Sequence, residues 1–240
     1  MNELLIRGRV LTFVAEPQGI DDTASYRYFE DGAVFVRGGK VVDAGDHADI
    51  SKLAGADVEV ADHRPNLVLP GLIDTHLHFP QTQAIASYGA QLLEWLNTYT
   101  FPQEARFAEK AHAERMADWF INQLISQGTT TVATYCSVHK ISAEALFAAA
   151  QERAMRLIAG KVLMDRHAPD GLRDEVDQAE RDCVDLIQRW HGRGRSSYAV
   201  TVRFAPTSTP GQLAMAGALC GADPSLYMQT HVAENPDEVQ

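Results

Sequence analysis

Positive charge is scarce in this chain: 21 lysines and arginines stand against 32 aspartates and glutamates, for a formal net charge of -11. Nonspecific affinity for nucleic acid comes from cations that neutralise backbone phosphates, so this balance argues against a nucleic-acid partner. Anionic membrane surfaces are disfavoured for the same reason. No apolar run approaches the roughly 18 residues that a membrane span needs. Met1-Asn2-Glu3-Leu4-Leu5 lacks the basic and then apolar regions of a secretion signal, so a cytoplasmic address without membrane contact is expected. Cysteine is also sparse. Cys136, Cys183 and Cys220 are odd in number and far apart, which excludes a disulfide framework or a CxxC pair and leaves them as small buried apolar residues. The rest, 45% hydrophobic and 22% charged over 240 residues, is the composition of a folded globular protein with one large core or two smaller ones.

Up to about Val60 the chain reads as short strands: Leu4-Leu5-Ile6, Arg9 to Phe13, and Ala33 to Val36 returning through Arg37-Gly38-Gly39-Lys40 into Val41-Val42. A Gly-Gly pair between β-branched runs signals a hairpin, because glycine tolerates the positive φ of tight turns. The texture changes at Leu67 to Asp74, where Pro70-Gly71 breaks an apolar run, and the domain boundary is placed near residue 65. Residues 1–65 form one domain and 66–240 the other. In the second, strand-like stretches (Gly71 to His76, Thr129 to Tyr135, Leu157 to Met164, Tyr198 to Phe204, Leu226 to His231) alternate with helical pattern. Met116, Ala117, Phe120, Ile121 and Leu124 recur at helical spacing before Gly128, and a further helix is expected to start at Ser142 as N-cap and run through Ala150. Alternation of this kind implies α/β architecture with a parallel sheet. Five βα steps suit a (β/α)8 barrel at least as well as an open doubly wound sheet, and a barrel would place its chemistry at the C-terminal strand ends.

His76 and His78 fall at such an end, and period-2 geometry turns both imidazoles to one side of the strand, an arrangement that suits zinc or iron. HxH alone is a common accident, but its surroundings are not. Pro70-Gly71-Leu72-Ile73-Asp74-Thr75-His76-Leu77-His78 resembles the metal-binding strand of the amidohydrolase superfamily. Further segments resemble the guanine deaminases of that superfamily: His78-Phe79-Pro80-Gln81, Leu92 to Pro102, Gly160 to Asp165, and Arg203-Phe204.

This resemblance implies a metal-dependent (β/α)8 barrel with its first five units here, preceded by part of a small β-sandwich. It further implies hydrolytic deamination of guanine to xanthine and ammonia by metal-activated water. His231, at the end of the fifth strand, becomes a third ligand with His76 and His78 for one Zn2+, with Fe2+ as the substitute. Glu234, three residues on, becomes the proton carrier, since attack on an aromatic amidine carbon requires both an activated water and a group that moves protons. Gln81, Arg203 and Phe204 map onto the purine contacts. An arginine fork matches the O6 and N7 acceptors of guanine, an aromatic ring packs on its π-face, and the Gln81 amide offers a donor and an acceptor. Without the resemblance, Arg203 reads as a surface charge and Phe204 as a core aromatic. His139, near the end of the second strand, could reach the pocket from behind, whereas His112, His167 and His191 receive no role.

The family's remaining metal ligands, a histidine and an aspartate on its sixth and eighth strands, would lie beyond Gln240. The 240-residue chain alone is therefore expected to be truncated and inactive, with a homodimer expected for the complete protein. Alternatives stay open: a related amidohydrolase deaminase acting on a pterin, a triazine or another purine, or a noncatalytic chain that keeps the fold. The cytidine-deaminase type is excluded, because it needs an HxE motif followed by PCxxC, and no PCxxC is present.

Overall fold

The computed structural model describes residues 3–89, 91–234 and 239, and the chain divides into two compact units, Met1–Gly71 and Leu72–Gln240. The first is a single four-stranded sheet in the order β3-β2-β1-β4, built from β1 (Glu3–Phe13), β2 (Tyr26–Arg37), β3 (Lys40–Asp46) and β4 (Glu59–Val68). β1 pairs antiparallel with β2 and parallel with β4. The hairpin between β2 and β3 turns on Gly38 and Gly39, whose φ angles of 59° and 76° are those a two-residue turn demands. Leu5, Ala33, Phe35 and Ile50 form its small core. β4 runs through residue 65, so the sheet reaches past the boundary read from the sequence.

The second unit contains β5 (Leu72–His78), β6 (Thr129–Tyr135), β7 (Arg156–Gly160), β8 (Val162–Leu163), β9 (Ser196–Phe204) and β10 (Tyr227–His231). The main path is β5-β6-β7-β9-β10, all parallel, with β8 on β9. Spatial order follows chain order without the reversal that marks a doubly wound sheet, and this is the order of successive barrel strands. β5 and β10 end the sheet among the described residues, and they leave Ile73 68% and Met228 53% exposed. The third strand, expected to be continuous, is split at Gly160-Lys161. A Cβ on Gly160 would lie 1.8 Å from the Ala199 carbonyl oxygen of β9, so the backbones approach more closely there than a regular ladder allows.

Helices α1 (Lys110–Ser126), α2 (Lys140–Glu152), α3 (Val176–Trp190) and α4 (Pro210–Ala222) follow strands β5, β6, the β7-β8 pair and β9 respectively. α2 starts two residues before the expected Ser142. His139 is its N-cap, and the buried Ser142 hydroxyl instead accepts the Ser137 amide at 3.1 Å. Alanines 143, 145, 149 and 150 bury a small-residue face that lets the helix approach the sheet. Phe147 on the same helix is fully buried and stacks on Trp190 of α3 at 5.5 Å. All nine residues of β9 are buried, polar Ser196, Thr201 and Arg203 included, as expected for a parallel strand covered on both faces. Cys136 and Cys183 are buried and Cys220 is partly so, all three as free thiols.

Candidate metal and active site

His76 and His78 extend from one face of β5 at its C-terminal end, and His231 ends β10 in register with Phe204 of β9. Their ring nitrogens come together: one donor atom from each of the three lies within 4.8 Å of the others. The closest pair is His78 Nε2 and His231 Nε2, at 3.0 Å. His231 Nδ1 faces the Arg203 carbonyl oxygen at 2.6 Å. A carbonyl only accepts, so Nδ1 carries the hydrogen and donates it, which leaves the Nε2 lone pair directed at the cluster. Burial holds the His78 imidazole well below the usual histidine range, with the Arg203 charge adding to the effect. His231 is lowered too, first by burial. Neutral imidazoles with lone pairs aimed at one point are what a divalent cation requires, and without one two Nε2 atoms at 3.0 Å need a proton between them. The residues present fit a metal ion.

Tyr135, at the end of β6, lies against all three rings: its centroid is 4.7 Å from that of His78, 4.4 Å from His231 and 5.4 Å from His76. Its phenol is pushed up to about 12, mainly by burial and further by the Glu234 charge. It therefore stays a neutral wall of the cluster at ordinary pH. Glu234 is exposed three residues past β10, and its charge also acts on His231, opposing the lowering by burial.

A second cluster surrounds Arg203. The guanidinium is buried on the Phe101 ring, 5.2 Å from its centroid, and Nη1 donates to both oxygens of Glu104 at 2.9 and 2.7 Å. Glu104 is itself 1% exposed, and its Oε1 also accepts from Gln81 Nε2 at 3.1 Å. Gln81 lines a cavity of about 360 Å³ together with His76, His78, Thr82, Ser87 and Trp95. Phe204 is buried at the end of β9, next to Arg203 in sequence and to His231 across the sheet. His139 does not join the histidine cluster. It caps α2, and its buried Nε2 has no hydrogen-bond partner among the described residues.

The Amidohydrolase family model matches residues 67–240. The chain belongs to the amidohydrolase family. The guanine deaminase of Escherichia coli (strain K12) is 43% identical to this amidohydrolase over 235 residues, which are 98% of this chain and 54% of that protein. The probable guanine deaminase of Deinococcus radiodurans is 36% identical over 240 residues, with coverage of 98% and 54%. The solved structure of the E. coli enzyme superposes with a TM-score of 0.94 over 98% of this chain and 54% of that one, at 42% identity. Guanine deaminase from C. acetobutylicum, solved with guanine bound in its active site, gives a TM-score of 0.87 at 28% identity, covering 99% of this chain and 54% of that one. The chain thus spans about half the length of the relatives it matches. Amidohydrolases are metal-dependent, in keeping with the histidine cluster. No helix among the described residues is long and apolar enough to cross a membrane.

Glu104 and Tyr135 belong to the two clusters, and sequence reading missed both. Tyr135 closes a strand whose C-terminal end was already the place to look for chemistry, so its position was a usable signal. Glu104 follows the Leu92 to Pro102 segment in a helical stretch, where a lone glutamate normally reads as solvated. Only its buried partners reveal it.

Proposed function

We propose that this chain supplies the metal site and purine site of a hydrolytic guanine deaminase, which converts guanine to xanthine and ammonia. The observation that carries the reading is the convergence of His76, His78 and His231, with the His231 tautomer set by a backbone carbonyl, close to the Arg203-Gln81 cluster. These three histidines would hold one divalent cation, zinc by preference and iron(II) as the substitute. When bound, such an ion supplies Lewis acidity and brings the pKa of a water to about 7.

The protein's own groups do the rest. Glu234 takes a proton from the attacking water and delivers it to the purine ring nitrogen; the C2–N bond of the tetrahedral carbon then breaks as the C2 hydroxyl becomes a carbonyl, and the amino group leaves as ammonia with that second water proton. Arg203 and Gln81 hold the polar edge of the base and Phe204 packs on its face, so that C2 rather than another carbon meets the nucleophile. Tyr135 excludes water from behind the histidines.

The test, made on the complete protein, joins metal analysis to the conversion of guanine to xanthine, followed by ultraviolet absorbance. Glu234→Gln is expected to lower turnover by roughly 10²- to 10⁴-fold with metal content unchanged. A protein that takes up no stoichiometric metal, or a variant that turns over guanine at the original rate, overturns the reading.

A further inference from the structure

Glu104 is a carboxylate with almost no access to solvent that touches both polar side chains assigned above to the purine, yet the proposed chemistry gives it no task. Its contacts have a direction. Paired with a guanidinium, a carboxylate accepts and does not donate. Gln81 must therefore turn its NH2 group toward Glu104, as the 3.1 Å contact from Nε2 to Oε1 records, and this leaves the Gln81 Oε1 acceptor to face a ligand. Glu104 meanwhile engages Arg203 through Nη1 alone, and among the described residues neither Nε nor Nη2 has a hydrogen-bond partner. The site thus presents donors from Arg203 beside an acceptor from Gln81.

We infer that Glu104 is a positioning residue that sets this polarity, so that the site takes a 6-oxopurine and rejects a 6-aminopurine; the inference rests on the reading of Gln81 and Arg203 as purine contacts. Guanine carries an O6 acceptor beside an N1–H donor, which complements Arg203 and Gln81 Oε1. In a 6-aminopurine both features are inverted, with an amino donor at C6 and a bare acceptor at N1. Donor would meet donor and acceptor would meet acceptor in a buried site. A site built around one hydrogen-bonding pattern discriminates against its absence by on the order of 10⁴-fold.

The complete, metal-loaded protein should be assayed with guanine and with 2,6-diaminopurine, which keeps the C2 amino leaving group and exchanges the C6 oxygen for an amino group, with loss of the N1 hydrogen. The unmodified protein is expected to favour guanine in kcat/KM by on the order of 10⁴-fold. In Glu104→Gln the new amide can donate to Gln81 Oε1, so the Gln81 amide is free to turn over. The preference is then expected to fall at least about tenfold, through KM more than kcat, with metal content unchanged. Glu104→Asp, which keeps an acceptor-only group, should retain most of it. If Glu104→Gln does not fold, Gln81→Met carries the test, because it removes the same acceptor and should reduce the preference to a similar extent. An unchanged preference in the folded variant overturns the inference and leaves the deaminase reading standing. Absence of guanine turnover in the complete, unmodified protein overturns both.

Discussion

Lys161 is a fully buried charge outside the candidate site, and replacing it with methionine tests how the second unit is held together. Its side chain is 0% exposed, and Nζ donates to both oxygens of Asp174 at 2.8 and 2.7 Å and to the Val162 carbonyl at 3.3 Å. Methionine fills much of the same volume, so little is lost in packing and the cost falls on Asp174. Removing one partner of a buried ion pair costs about 3–5 kcal/mol. The Asp174 side chain is 12% exposed, so water can reach it and the lower end, about 3 kcal/mol, is expected near neutral pH.

The loss should depend on pH, and its sign follows from the groups nearby. Burial already raises the Asp174 carboxyl above its ordinary value, and the Lys161 charge opposes that rise. Without Lys161 the folded-state pKa moves further up, so the folded variant binds a proton that the unfolded chain releases, and its stability falls as pH rises through that range. His139 works in the same direction. Burial and then the Lys161 charge depress its imidazole, which costs stability as pH falls below the ordinary histidine range. Losing Lys161 relieves part of that cost. Both effects shrink the deficit of Lys161→Met under acid conditions. Urea unfolding followed by tryptophan fluorescence should therefore show a loss of about 3 kcal/mol near pH 8 and a smaller one near pH 5, relative to the unmodified protein. A deficit below about 1 kcal/mol near pH 8, the size of an exposed pair, or an equal deficit at both pH values refutes the argument.

Two further predictions concern packing. Gly160→Ala places a methyl 1.8 Å from the Ala199 carbonyl oxygen, and since that atom belongs to β9 backbone the strands must separate; a loss of about 1–3 kcal/mol in urea unfolding is expected, and an unchanged midpoint would mean that β7 and β9 do not approach this closely. Burial raises all three thiols, most strongly at Cys136, so under native conditions a maleimide should modify Cys220 first and reach Cys136 and Cys183 only on unfolding, as read by peptide mass; prompt native labelling of Cys136 would contradict its position in the core.

Features with local chemical causes were legible in the sequence. The Gly38-Gly39 turn could be read because two positive φ angles leave few alternatives to glycine. The facing of His76 and His78 followed from strand geometry, and the parallel order of the second unit from the alternation of strand and helix. What escaped depends on partners distant in sequence. β4 carries Asp62, His63, Arg64 and Pro65 in its interior and has no strand-like pattern, and it forms because β1 offers a parallel edge. Ser142 looked like an N-cap because serine commonly is one, but its hydroxyl is used by Ser137 one turn earlier. Glu104 and Arg203 lie 99 residues apart, and neither announces that it is buried until the other is placed beside it.

Arg203 shows how one strand end can serve two sites without compromise between them. Its carbonyl oxygen receives the Nδ1–H of His231, and its guanidinium rests on Phe101 and Glu104. The first contact belongs to the backbone and is indifferent to the side chain, while the second belongs to the side chain alone. On the proposed reading, His231 is therefore oriented for a metal by the fold of β9 and β10 itself, and the identity of residue 203 remains free to answer to the ligand. The same separation holds on β5, where His76 and His78 converge with His231 and the chain then turns into the segment carrying Gln81. Metal chemistry set by strand geometry, with recognition set by the side chains around it, is an arrangement in which the substrate can change without rebuilding the centre that acts on it.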